Sequence, residues 1–81
     1  MTQFTLETVA ELMALVGNGA KGTHMLIVID GCLSLTHKTH AAPGENLITR
    51  ISANEIRNGC TSSRWNAIDA ALKEYNAKHA G

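Results

Sequence analysis

The chain has 81 residues, 44% of them hydrophobic, with seven basic and seven acidic side chains that cancel. One domain of this length buries roughly 60–65% of the surface its unfolded form exposes, and the apolar content excludes a disordered chain. Balanced charge weighs against avid nucleic-acid binding, which needs Lys and Arg to displace phosphate counterions, and no apolar run reaches the roughly 18 residues that cross a bilayer.

The opening stretch, MTQFTLETVAEL, carries acids where a secretory leader has basic residues, so a cytoplasmic protein is expected. Leu6, Val9, Ala10, Met13 and Val16 then recur at helical spacing after Thr5, a natural N-cap. The pattern predicts a helix over about 6–16 that stops at Gly17.

Next comes GNGAKGTH, in which Gly17, Gly19 and Gly22 match G-x-G-x-x-G as letters. A dinucleotide loop leaves a strand and opens a helix, so that free N–H groups meet the pyrophosphate. Here a helix ends and a strand begins, which presents carbonyls instead. A connector is expected, and no cofactor.

The run HMLIVIDGCLSLTHK has Asp30-Gly31 between two apolar stretches. That pair suits a type I′ hairpin turn, which needs positive φ at both central residues. The register then sets Ile29 opposite Cys32, Val28 opposite Leu33, Leu26 opposite Leu35 and His24 opposite His37. Leu26, Val28, Leu33 and Leu35 share the core face. Met25, Ile27 and Ile29 share the other face with Cys32, Ser34 and Thr36, and such an apolar second face is expected to meet a partner or a second copy.

Residues 39–46 form a loop with a Pro43-Gly44 turn, and NLITRI predicts a third strand over about 46–51. Ser52 and Glu55 have capping-box spacing, predicting a helical turn over 53–58 closed by Gly59, the alternative being a third strand that continues through Ile56. Trp65, Ile68, Leu72, Tyr75 and His79 make one stripe, with Asp69–Lys73 and Glu74–Lys78 pairs on the wet face, so a last helix is expected over about 63–78, capped by Thr61, Ser62 or Ser63.

The expected fold is therefore a single α+β domain spanning 1–81, in the order helix-strand-strand-strand-helix. Its three-stranded antiparallel sheet carries two helices packed on one face. This order is similar to that of double-stranded-RNA-binding domains. Gly59, Ser63, Ala67, Ala70 and Ala71 have the spacing seen where those domains enter their second helix. The resemblance implies the fold. It does not bring RNA binding with it, because only Arg64 matches a phosphate-gripping position, and Trp65 and Ile68 stand where lysines belong.

Two candidate sites remain. His24, His37 and His40 could converge on a divalent metal if the loop returns His40 to the hairpin. Cys32 and Cys60 lack C-x-x-C spacing and read as free thiols, with Cys60 near a helix N-terminus that would lower its pKa. No nucleophile-base pair or carboxylate pair is placed for catalysis, so a non-enzymatic role is expected. A protein partner is the expected ligand, met by Met25, Ile27, Ile29, His37, Lys38, His40 and Arg64 around a flexible HKTHAAPGEN loop. Small neutral chains of this kind include phage-encoded inhibitors of host machinery, anti-CRISPR-type proteins among them. Homodimerisation is a further expectation, nucleic-acid binding an alternative, and a histidine metal site or small enzyme the remaining one.

Overall fold

In a computed structural model of the chain, which describes residues 4–38 and 40–79, the first helix is α1, Leu6–Val16. Thr5 takes the N-cap position with extended backbone, although its hydroxyl makes no capping bond. The helix stops at Gly17, whose φ of 54° passes the chain into a 3₁₀ turn over Gly17–Gly19.

Strands β1, Thr23–Ile29, and β2, Cys32–Thr36, form the hairpin. Asp30 and Gly31 have φ of 51° and 75°, the positive values that a type I′ turn requires. Ile29 pairs with Cys32, Val28 with Leu33 and Leu26 with Leu35, as the turn chemistry predicts.

Strand β3, Asn46–Ser52, pairs antiparallel with the free side of β1, giving the order β2-β1-β3. A meander would have put β2 in the middle. Instead β2 and β3 run parallel on either side of β1, and β3 begins at the far end of the sheet from where β2 stops. The connection from β2 to β3 must therefore cross β1. The register also slips between Leu26 and Ile27, which pair with Thr49 and Leu47, so Ile48 is the extra residue of a bulge.

Helix α2, Ala53–Asn58, follows β3 directly. Its capping box is complete: Glu55 N donates to Ser52 Oγ at 3.2 Å, and Ser52 N donates to Glu55 Oε1 at 3.1 Å. Ser52→Ala is expected to lower stability by about 1 kcal/mol, read as a lower urea midpoint with an unchanged denaturant slope. Helix α3, Ser62–Lys78, starts from Thr61, whose hydroxyl accepts from Arg64 N at 3.2 Å.

Both long helices pack on one face of the sheet. Val9 and Met13 of α1 and Ile68 and Leu72 of α3 share a cluster with Leu26, Val28, Leu33 and Ile51. Asn76 ties Phe4 to α3, accepting from its N–H at 3.2 Å and donating to its carbonyl at 3.1 Å. With the helices on the Leu26 face, the Met25 face is left for the connection, whose first residues, His37 and Lys38, lie beside Thr23 and Arg50. Met25 and Ile27 are accordingly 0% and 1% exposed. The domain is therefore closed on both faces, and the apolar second face needs no other molecule to cover it.

Candidate functional site

The residues expected to meet a partner fall into three groups. Met25 and Ile27 are buried, and Ile29 is half-buried at the hairpin end. Their expected exposure is corrected by the crossing chain, which occupies the face that strand alternation alone would leave open. Met25 and Ile27 belong to the interior.

Lys38 and Arg64 are engaged within the chain. Lys38 Nζ lies 2.6 Å and 2.7 Å from the two oxygens of Glu45, and Glu45 Oε1 also accepts from Ala42 N at 2.6 Å. Glu45 N donates to the Ala42 carbonyl at 3.0 Å, closing a turn in which Gly44 has φ 87°. These bonds clamp the loop expected to be flexible. The Lys38 and Ala42 hydrogen bonds also hold the Glu45 carboxyl below its ordinary pKa. Arg64 Nε donates to Glu55 Oε2 at 2.9 Å, and Arg64 Nη2 donates to the Arg50 carbonyl. That guanidinium joins α3 to α2 and covers part of the outer edge of β3. Arg64 thus has a role within the fold itself.

The histidines make the third group. His24 is 4% exposed and stacks on His37, with ring centroids 5.0 Å apart and planes inclined by 21°. Their opposition follows from the hairpin register. His24 Nδ1 is buried without a hydrogen-bond partner among the described residues. Burial, and then the proximity of His37, push the His24 pKa below its ordinary 6.5. Gly22 makes room for the stack: it has φ 66°, and a Cβ there would lie 3.3 Å from His37 Nε2. His40 is exposed, and no group of three His, Cys, Asp or Glu side chains among the described residues comes together to hold a metal.

Both cysteines are free thiols, Cys32 exposed and Cys60 half-buried. Burial pushes the Cys60 thiol up, Glu55 adds to the rise, and Arg64 opposes it. The expected lowering at the helix N-terminus is corrected: desolvation and a carboxylate outweigh the helix end.

Two large aliphatic side chains are exposed, Leu15 on α1 at 83% and Leu47 on β3 at 40%, and the second of them lines a cleft. Between the start of β3 and the end of α3 is a cleft of about 340 Å³, lined by Leu47, Ile48, Ala71 and Tyr75, with Glu74 and Lys78 among its charged residues. Tyr75 stacks on His79 at 4.1 Å, giving the cleft an aromatic wall. Strand alternation misses Leu47 because it groups Leu47 with buried Ile51. The bulge breaks that parity and packs Ile48 against the core instead. The adjacent pair Leu47-Ile48 is the one signal of this in the sequence, since two neighbouring apolar residues cannot both face the core of a regular strand.

No family model, no curated protein and no solved structure matches the chain.

Proposed function

We propose that the chain is a small non-enzymatic module that acts by binding another protein, and that its contact surface is the cleft between β3 and α3. The observation that carries this reading is Leu47, a large aliphatic side chain 40% exposed at an open cleft. Glu45, Glu74, Lys78 and His79 mix both signs around it. An exposed aliphatic side chain among polar groups of both signs suits a protein surface. A polyanion would need one sign of charge, and two of the most promising cations, Lys38 and Arg64, are already paired with carboxylates. Occupation of a target protein, as phage-encoded inhibitors do, is the form of this function that the small neutral chain favours.

Affinity capture from cell extract, run with and without nuclease, tests the proposal. A protein should be retained after nuclease treatment and lost with Leu47→Glu, while the variant keeps the wild-type circular dichroism and melting temperature. Retention that disappears with nuclease, or that ignores Leu47→Glu, would count against it.

A further inference from the structure

Strand β2 is the outer strand on one side of the sheet. A two-residue turn closes on a hydrogen-bonded pair, here Ile29 and Cys32, and such pairs alternate along the hairpin. The main-chain groups of Cys32, Ser34 and Thr36 therefore point at β1, and those of Leu33 and Leu35 point away from it. Since β2 is an edge strand, those outward N–H and C=O groups have no strand to meet, and no other main-chain group among the described residues bonds them. The same alternation turns the Arg50 carbonyl outward on the opposite edge, where Arg64 covers it. One carbonyl of the β3 edge is thus covered, while the outward groups of the β2 edge have no main-chain partner among the described residues.

Natural edge strands are protected by lysine, proline or a bulge. β2 reads Cys-Leu-Ser-Leu-Thr, with none of these. The sequence is close to a palindrome about Ser34. We infer that β2 pairs antiparallel with β2 of a second copy of this chain, across a two-fold axis at Ser34, making one continuous six-stranded sheet from two three-stranded ones.

The chemistry selects this occupant and this register. Leu33 of each copy lies opposite Leu35 of the other, so all their outward groups exchange hydrogen bonds. Their side chains lie on the helix side, where Leu33 is buried and Leu35 half-buried, and pairing joins the two cores. On the other side Ser34 meets Ser34, and Cys32 meets Thr36. At the ends, the axis sets the Asp30 turn of one copy beside the His37-Lys38 end of the other, where Lys38 is already paired with Glu45 of its own chain. An isologous contact of this kind uses the same edge of both copies and closes as a dimer. The β3–α3 cleft lies at the opposite edge, so this pairing stands independently of the proposed partner site.

The test is oligomeric state together with directed cross-linking, and needs no other protein. Sedimentation should give twice the chain mass of 8.6 kDa. Ser34→Lys sets two ammonium groups face to face at the axis and should give a folded monomer. Independently, Ser34→Cys in a Cys32→Ser, Cys60→Ser background should form a disulfide-linked dimer on mild oxidation. The Ser34 pair is a non-hydrogen-bonded one, with Cα atoms about 4.5 Å apart, which a disulfide spans. Thr36→Cys in that background should stay uncross-linked, because its own copy lies several residues away along the strand. A wild-type protein that sediments as a monomer overturns the inference. So does a dimer in which Ser34→Cys fails to cross-link or Thr36→Cys cross-links equally well. Should Ser34→Lys fail to fold, the cysteine pair alone decides.

Discussion

Ile27→Ala is expected to lower the unfolding free energy by about 2–5 kcal/mol, the range for truncating a fully buried isoleucine to alanine. Domains of this size have of the order of 5–10 kcal/mol in total, so one substitution would remove a large share. The expectation follows from the crossing of the β2–β3 connection over β1, which leaves Ile27 only 1% exposed on the face away from the helices. Alanine there leaves a cavity between sheet and loop that neither can collapse to fill. Ile29, two residues along the same face, is half-buried at the hairpin end, so Ile29→Ala should cost clearly less. Urea titration of the two variants reads the difference. Equal, small shifts at both positions would mean that the second face is open and that the loop does not close it.

Acid should destabilise the protein through His24, with the loss beginning below about pH 6.5. The sign follows from the direction of the shift. Burial and the proximity of His37 depress the His24 pKa in the fold, while the unfolded chain keeps the ordinary value of 6.5. The unfolded state then binds the proton more readily. Stability is fully present above the unfolded pKa, and falls as pH drops from there through the folded pKa. Among the described residues Nδ1 has no partner, the stacked ring is His37, and the neighbouring cleft is lined by Thr23, Lys38 and Arg50, with no carboxylate in its lining. The Glu45 carboxyl, itself held below its ordinary 4.5, acts in a lower pH window and does not obscure this one.

His24→Phe keeps an aromatic ring on His37 and removes the titrating group. Its stability should be nearly flat between about pH 7.5 and about pH 5.5 where that of the wild type falls. Parallel decline of the two proteins would assign the acid sensitivity elsewhere. A proton-induced loosening of this stack would act on the hairpin end, where β2 gives way to the crossing loop.

Much of the fold is legible in the sequence because its signals are local. Asp30-Gly31 demands positive φ twice, which sets the turn, the hairpin register, and with it the opposition of His24 and His37. Helical spacing marks α1 and α3, and Ser52 with Glu55 marks the start of α2. Each of these depends on residues within a few positions of one another, where backbone sterics and capping bonds decide.

What the sequence leaves open depends on partners distant along the chain. Either side of the β1–β2 hairpin is a possible edge for β3, and only packing against α2 and α3 sets it beside β1. That choice sends the β2–β3 connection across the sheet, buries Met25 and Ile27, and turns an apparent docking face into core. The bulge at Ile48 reverses strand parity and exposes Leu47. Arg64 and Lys38 read as free cations until the fold brings Glu55 and Glu45 to them. Local dihedral and spacing rules thus determine the elements and their hairpin. Strand order, and through it every exposed surface, is decided by tertiary burial, because apolar surface is removed from water with no regard to where along the chain its cover originates.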